Sequence, residues 1–318
     1  MSTTIQAWVI NAERKLQMIE LSKLSQVENT AKYTWIHIEA DPPSKAVKEI
    51  SGLPYHVLNT LGEGESRPRS EVLEDGLLVN FRCPPSEVKH DIQEFASFRV
   101  WVTERLIVTV QRRPLDLAKS AVKQLSTAMP ETSLELLTFF MSQIIEKTAD
   151  IECAIDDELD RLEDLLAESS AGVSRLQLGQ LNKQIIMVRR YLVPQREALA
   201  KIHLEKFPWV KDIVNVQFRE YTDSTIRILE DLAAARERTT VLQESLTSVS
   251  LEQTNKKIYL LSIVAVIFMP LSFVTGLLGI NVGGIPGNTY KDGFWVVCTL
   301  LGALAFFELW MLRRKKWL

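Results

Sequence analysis

The chain has 318 residues, of which 24 % are charged and 46 % hydrophobic, so it is long enough for one large or two modest soluble domains. Its net charge of −3 argues against nucleic acid as a partner. Cys83, Cys153 and Cys298 are far apart and form no CxxC pair, which excludes a zinc-finger spacing and suits a reducing compartment.

The first third of the chain alternates between strand-like and short helix-like runs, which predicts an α/β domain over residues 1–114. The N-terminus lacks a basic start followed by an apolar core, so we expect no cleaved signal peptide and a cytoplasmic domain. Two Gly-terminated segments predict short helices, 43–52 and 54–64. Runs of β-branched and aromatic residues predict strands at 34–40, 76–83, 95–102 and 105–111.

Residues 115–207 carry apolar residues at helical spacing, which predicts a cytoplasmic helical region with a helical hairpin. Within it, the acidic run Glu152–Glu168 has two interpretations. It either attracts cations or is an ordinary solvated helix face.

Residues 208–257 predict one long stalk helix, because the chain contains neither Gly nor Pro from Trp209 to Met269. Pro208 suits the first turn of such a helix. Apolar or small residues recur at alternating spacings of three and four, a coiled-coil-like seam that needs packing partners. The seam comprises Phe218, Tyr221, Thr225, Ile228, Leu232, Ala235, Thr239, Leu242, Leu246 and Val249.

Two apolar runs close to the C-terminus predict membrane helices, the first at 258–280 and the second at 294–312. The first carries no charge, and at about 1.5 Å per residue it exceeds the ~30 Å hydrocarbon core of a bilayer. The second is interrupted only by Glu308, for which a salt bridge to the basic tail and a proton-carrying role are both open. A core hairpin of a soluble protein is the alternative to a membrane hairpin.

The charges that flank these runs predict the topology of the hairpin. An outer loop, 281–293, contains one Lys and one Asp, whereas the tail 313–318 is strongly basic and a Lys pair precedes the first run. The positive-inside rule therefore predicts that both termini lie in the cytoplasm.

One stripe along the first apolar run is made of small and weakly polar residues. Two membrane helices cannot enclose a water-filled path, so a conducting protein would have to oligomerise around an axis. The stripe could line such a pore or could serve ordinary helix packing, and both interpretations remain open. Its members are Asn255, Ile258, Leu261 or Ser262, Ala265, Met269, Ser272, Gly276 and Gly279.

Asn281 follows the first run at the predicted membrane exit. An amide there is costly against lipid and acceptable when it faces an axis. In a ring of subunits its carbonyl groups could hold a hydrated divalent cation through the water ligands of the ion.

These segments resemble the CorA superfamily of divalent-cation transporters, in which the first span ends in Gly-Met-Asn. Here the triplet is Gly279-Ile280-Asn281. The segments TWIHIEA, SRPRSEVLEDGLLVNFR, FASFRVWVTERLIVTVQRRP, IFMPLSFVTGLLGIN and RRKKWL resemble family segments and occur in the family order. The Ile and the following GINVGGIPG loop resemble the zinc-transporting ZntB branch.

The resemblance implies a funnel-shaped homopentamer with an α/β cytoplasmic domain, a long stalk helix and two transmembrane helices. It implies that Gly279, Ile280 and Asn281 form the selectivity mouth, with Asn281 contacting the hydrated cation. Ile258, Leu261 and Met269 would be hydrophobic constrictions. The residues that the resemblance assigns to the pore are Asn255, Ile258, Leu261, Ser262, Ala265, Met269, Ser272 and Gly276.

We therefore expect transport of divalent metal cations across a bacterial inner membrane, with Zn2+ as substrate and Mg2+, Cd2+, Ni2+ and Co2+ as further candidates. The alternatives are a magnesium, cobalt or nickel channel of the CorA type and a membrane-anchored sensor or scaffold without a pore. No GxSxG, P-loop or HExxH motif is present, so we expect neither an enzyme nor a cofactor.

The histidines and cysteines are not paired at metal-ligand spacing, and we expect most of them to be structural. His90 and Asp91 are adjacent and could form part of a cytoplasmic metal site. The residues expected to be structural or at the surface are His37, His56, His203, Cys83 and Cys153.

Overall fold

The computed structural model describes residues 3–23, 31–41, 43–50, 52–64, 67–73, 76–85, 95–113, 115–125, 129–168, 174–204, 209, 212–280 and 291–315. The chain forms two compact units, Met1–Gln243 and Glu244–Leu318. One long helix contributes residues to both units.

A seven-stranded mixed sheet organises the first unit. Its strand order is β2-β1-β3-β7-β6-β5-β4, in which β3 and β7 are parallel and the other neighbours are antiparallel. The strands that were predicted from the β-branched runs are confirmed as β3, β5, β6 and β7. The bounds are β1 Thr4–Ile10, β2 Leu16–Ile19, β3 Tyr33–Glu39, β4 Arg69–Leu73, β5 Gly76–Cys83, β6 Ala96–Val102 and β7 Leu106–Gln111.

Helices cover both faces of this sheet, so its central strands are buried on both sides. Alternate residues of a strand point to opposite faces, and they accordingly belong to two separate cores. Trp35 belongs to one core with helix residues such as Leu117 and Phe140, whereas its neighbour Ile36 belongs to the other core with Val57 and other residues of short helices. These two layers of burial explain why β5 and β6 are uninterrupted runs of buried residues.

Two short helices, α1 and α2, pack on the second face of the sheet, and the longer helices of the described residues come after the last strand in the chain. Ser174 begins one of them with a reciprocal capping box, in which Gln177 N–H donates to Ser174 Oγ at 3.2 Å and Ser174 N–H donates to Gln177 Oε1 at 3.0 Å. The bounds are α1 Ser44–Val47, α2 Tyr55–Gly62, α3 Leu117–Gln124, α4 Ser133–Glu168, α5 Arg175–Leu204, α6 Asp212–Leu278 and α7 Gly293–Arg314.

The predicted seam of α6 is confirmed within the first unit. Phe218, Thr225, Leu232 and Thr239 are buried there at spacings of seven residues. The buried threonines satisfy their hydroxyl groups on their own helix, since Thr225 Oγ1 donates to the Tyr221 carbonyl at 2.7 Å and Thr239 Oγ1 to the Ala235 carbonyl at 2.8 Å. Phe218 shares a buried core with Ile144 of α4 and Leu199 of α5, so within the first unit the helix packs against elements of the same chain. The buried residues along this length of α4 include Ile144, Thr148, Ile151, Ile155, Leu159 and Leu162.

Candidate functional site

Two helices, α6 and α7, are long enough and apolar enough to cross a membrane. Neither lies near the N-terminus, where a signal sequence would be found, and their apolar parts are mostly exposed, unlike the core helix of a soluble protein. Phe268 is 62 % exposed and Phe306 is 73 % exposed. Exposure of so large an apolar surface to water is unfavourable, so a bilayer or further copies of the chain must cover it.

Each membrane helix has one face on which it is less exposed. On α6 this face contains Ile263, Ile267, Pro270 and Val274, and on α7 its residues recur at similar spacings of three and four. Ile263 and Leu312 line one cavity together, so the helices pack as an antiparallel hairpin along these faces. The face of α7 comprises Val297, Leu301, Leu304, Ala305, Glu308 and Leu312.

The predicted pore stripe lies on the other side of α6. At ~100° per residue, Ile258, Leu261, Ala265, Met269, Ser272 and Gly276 point roughly away from the packing face. All of them are exposed, with Leu261 at 70 % and Met269 at 72 %. Asn255 and Ser262 are exposed as well but lie closer to the packing face, and Ser262 contributes to the cavity. The stripe is therefore available to other copies of the chain or to an aqueous path.

Glycines lie at the C-terminal end of α6, where the first membrane segment ends. The Gly279 N–H donates to the carbonyls of Thr275 at 3.0 Å and Gly276 at 3.2 Å. A Cβ atom at position 279 would lie 3.0 Å from the Thr275 carbonyl, so a larger residue would push against this last turn. Ile280 follows and is half exposed, whereas Asn281 lies outside the described residues. The role of the triplet as a selectivity mouth stays a prediction.

Glu308 is buried on the packing face of α7. Its Oε2 atom has no hydrogen-bond partner within the described part of the chain, so the predicted salt bridge to the basic tail is not seen for this atom. A buried carboxyl in a membrane helix is costly, which marks this position as a candidate functional residue.

The acidic run of α4 packs against α6 through one cation, Arg238. Its guanidinium donates to Asp156 Oδ1 at 2.5 Å, to both oxygens of Glu163 at 2.9 Å, and also to Asp160. The hydrogen bonds that Arg238 donates to Glu163, and then those to Asp160, hold the pKa of Arg238 above its ordinary value. Burial, followed by the charges of Asp231 and Asp156, raises the pKa of nearby Glu152. Part of the run therefore serves helix packing rather than a solvated face.

Sequence reasoning identified the acidic run but not its partner. The carboxylates that Arg238 binds are spaced four and three residues apart, which places them on one helix face. That spacing predicts a facing cation, but it does not identify which basic residue of α6 supplies it.

Replacing Arg238 by Gln is expected to lower the free energy of unfolding by about 1 to 2 kcal/mol, because three carboxylates then face one another without a cation and the network is partly exposed. Thermal unfolding of the detergent-purified protein would measure the loss. Arg236→Gln, at an exposed position of the same helix, is the matched control. Equal stability of the two variants would contradict the assignment.

The histidines that the structure describes belong to structural contacts. Thr109 Oγ1 donates to the Ile36 carbonyl at 3.3 Å, so it accepts from Trp35 Nε1 at 2.9 Å and from His37 Nδ1 at 2.8 Å. Burial lowers the pKa of His37 to about 4, so the ring is neutral. His56 Nε2 lies 3.2 Å from a carboxylate oxygen of Glu71 at the surface.

No group of three or more His, Cys, Asp or Glu side chains is arranged to hold a metal ion among the residues that the structure describes. His90 and Asp91, like the side chain of His203, lie outside that part of the chain. The cytoplasmic metal site predicted at His90 and Asp91 therefore stays a prediction.

Lowering the pH from 6.5 to 4 is expected to destabilise the sheet by about 3 kcal/mol through His37 alone. The pKa of His37 is lowered from 6.5 to about 4 on folding. The unfolded chain therefore binds a proton that the folded chain excludes, and stability is lost as the pH falls through this window. Urea denaturation, followed by tryptophan fluorescence at several pH values, measures the slope of the free energy of unfolding against pH. His37→Gln should flatten it and His56→Gln should not; an unchanged slope in His37→Gln contradicts the assignment.

Comparison with known proteins places these features in one family. A family model described as CorA-like Mg2+ transporter protein matches residues 30–314. The zinc transport protein ZntB of Pectobacterium carotovorum subsp. carotovorum (strain PC1) is 32 % identical over 295 residues, which cover 92 % of this chain and 90 % of that protein. The divalent cation transporter CmaX of Pseudomonas aeruginosa is 32 % identical over 289 residues, which cover 89 % and 87 %.

A solved structure extends the likeness to the whole fold. The full-length CmaX protein superposes with a TM-score of 0.83 at 30 % identity, covering 98 % of this chain and 97 % of that chain. The predicted class, an α/β domain with a long helix and two membrane helices, is confirmed. Because the family model spans most of the sequence and the relatives cover nearly its full length, the chain belongs to the CorA-like Mg2+ transporter family.

Proposed function

We propose that this chain transports divalent metal cations, with zinc as its substrate, through the central pore of a homopentamer. The observation that carries the proposal is the small-residue stripe of α6, which is exposed on the side opposite the hairpin contact. A stripe that served packing within the chain would be covered by α7. Relatives of similar length are named as a zinc transport protein and a divalent cation transporter, which supports the substrate class.

In this proposal the exit triplet forms the selectivity mouth and the stripe lines the pore. The stripe contains no His or Cys, so the ion passes with oxygen ligands or in its hydrated form. Ile258, Leu261 and Met269 form apolar rings that close the path when they exclude water.

The protein lies in a bacterial inner membrane with both termini in the cytoplasm, since the basic residues flank the hairpin at its two ends. The proposed order of parts is an α/β domain, 1–114, a helical region, 115–207, a stalk, 208–257, the pore helix, 258–280, an outer loop, 281–293, the outer helix, 294–312, and a basic tail, 313–318.

Magnesium is the second candidate substrate, because the family model is described by Mg2+ and because a pore without nitrogen or sulfur ligands suits a strongly hydrated ion. Cobalt and nickel would be carried by the same path. Comparison of metals in a single flux assay separates these candidates.

The deciding experiment is zinc flux into liposomes that contain the purified full-length protein, followed with an enclosed zinc indicator. We expect protein-dependent flux that Mg2+, Cd2+, Ni2+ or Co2+ compete with to different degrees. Absence of flux for every metal, with or without a pH gradient, would contradict transport. A monomeric or dimeric mass in detergent would contradict the pore and favour a membrane-anchored sensor or scaffold.

A further inference from the structure

The two membrane helices carry basic side chains at one shared end. Tyr259, near the start of the first apolar segment, and Leu312, at the end of the second, line the same cavity. Lys256 and Lys257 precede Tyr259, while a run of cations follows Leu312, so both groups lie at this end of the hairpin. The described part of this run comprises Arg313, Arg314 and Lys315.

The cavity between the helices is apolar and opens outward. It has a volume of about 210 Å3 and is lined by Tyr259, Ser262, Ile263, Val266 and Leu312. Ile263 and Leu312 are buried at its floor, whereas Tyr259 and Val266 are roughly half exposed at its rim. A dry apolar cavity of ~150 Å3 is already large enough to take a hydrocarbon such as benzene. This cavity is therefore suited to part of a hydrocarbon chain.

Helical spacing brings cations to the cavity from both helices. Lys256 lies three residues before Tyr259, and Lys315 lies three residues after Leu312, so each occupies the next turn on a cavity-lining face. Lys256 Nζ pairs with Glu252 at 2.7 Å, but both side chains are more than half exposed, so this pair contributes little and can rearrange. Even with Glu252, the charge at this end is positive.

The interfacial position of this end is marked by an aromatic residue. The Arg314 guanidinium lies over the Trp310 ring at 5.3 Å from its centroid. Trp is the residue typical of the headgroup level of a bilayer, and a cation over its face is held there.

We propose that this end of the hairpin binds an anionic phospholipid, with an acyl chain in the cavity and the phosphate headgroup between Lys256 and Lys315. Basic pockets between membrane helices are suited to anionic headgroups, and the apolar walls offer nothing to a soluble anion. Lys257, Arg313 and Arg314 add to the positive potential at the cavity entrance. The site is independent of the pore and does not require that the protein transport any ion.

Native mass spectrometry of the full-length protein, titrated with phosphatidylglycerol and with phosphatidylcholine of the same acyl chains, tests the headgroup. We expect phosphatidylglycerol to bind at least about fivefold more tightly. Lys256→Gln and Lys315→Gln should each weaken its binding about fivefold, the value expected for one charge near a membrane surface. Lys291→Gln, at the other end of the hairpin, should leave it unchanged. Equal binding of both lipids, or equal losses in all three variants, would overturn the proposal.

A matched pair of valines tests the cavity. Val266 lines the cavity and is 42 % exposed, whereas Val264 is 43 % exposed and does not line it. Val266→Phe should weaken both lipids several-fold, Val266→Leu should do so to a smaller degree, and Val264→Phe should change neither. Unchanged lipid binding in both Val266 variants would overturn the proposal. A changed oligomeric mass at constant lipid binding would also overturn it, since a second copy of the chain would then occupy the cavity.

Discussion

Replacing Asn281 by alanine is expected to reduce zinc flux at least about tenfold while the assembled mass stays unchanged. In the proposed pentamer the amide carbonyls form a ring that holds the water ligands of the entering ion. Alanine removes this ring, and a loss of about 1.4 kcal/mol in binding at the mouth corresponds to a tenfold change. Initial rates in liposomes that contain equal amounts of protein give the measurement.

The same loop offers a matched control for this substitution. Asn288→Ala removes an identical amide seven residues further along. It should leave the flux unchanged, because the resemblance assigns Gly279, Ile280 and Asn281 to the mouth and does not include Asn288. Equal rates in the two variants would remove Asn281 from the mechanism without affecting the evidence for the hairpin.

The four central strands and the membrane helices were predictable because their signals are local. β5 is a continuous run of eight buried residues, GLLVNFRC, and its β-branched and aromatic content distinguishes it from a helix. The first membrane segment was predictable from an uncharged run that no soluble helix needs. Three strands, β1, β2 and β4, were not predicted, and β2 and β4 at the sheet edges have only four and five residues, too short a pattern to be recognised.

Long-range partners were not predictable, because no local pattern encodes them. β3 and β7 pair in parallel although Thr34 and its partner Leu106 are far apart in the sequence. Arg99, inside β6, donates to the carbonyls of Leu61 at 3.0 Å and Glu63 at 2.6 Å, where α2 ends. From the sequence alone, such an Arg suggests an interruption of a strand. In the fold it donates hydrogen bonds to carbonyl groups at the end of a helix.

In the candidate site, too, the local pattern was predictable and the long-range partner was not. The helical phase of the stripe followed from the sequence, since 3.6 residues per turn fix which residues share a face. The sequence did not show which face of the first membrane segment α7 covers, because both sides of that segment are apolar enough to pack against a helix or to contact lipid. The structure covers the face of Ile263 and leaves that of Leu261 exposed.

Replacing Leu261 by asparagine is expected to raise zinc flux several-fold, because a polar amide hydrates an apolar constriction that closes by excluding water. Leu260→Asn is the matched control, since Leu260 and Leu261 are 64 % and 70 % exposed in the chain and differ by ~100° around the helix. At position 260 the amide meets lipid instead.

The two variants therefore distinguish a pore-facing surface from a lipid-facing surface, which the similar exposed fractions of the two leucines cannot do. Leu260→Asn should cost about 1 to 3 kcal/mol for an unpaired polar group in hydrocarbon, and it should lower the amount of protein in the membrane without raising flux per molecule. Flux normalised to inserted protein distinguishes these outcomes. If both variants conduct alike, the axis of the pore does not pass along Leu261, and the small-residue stripe must serve helix packing between copies of the chain.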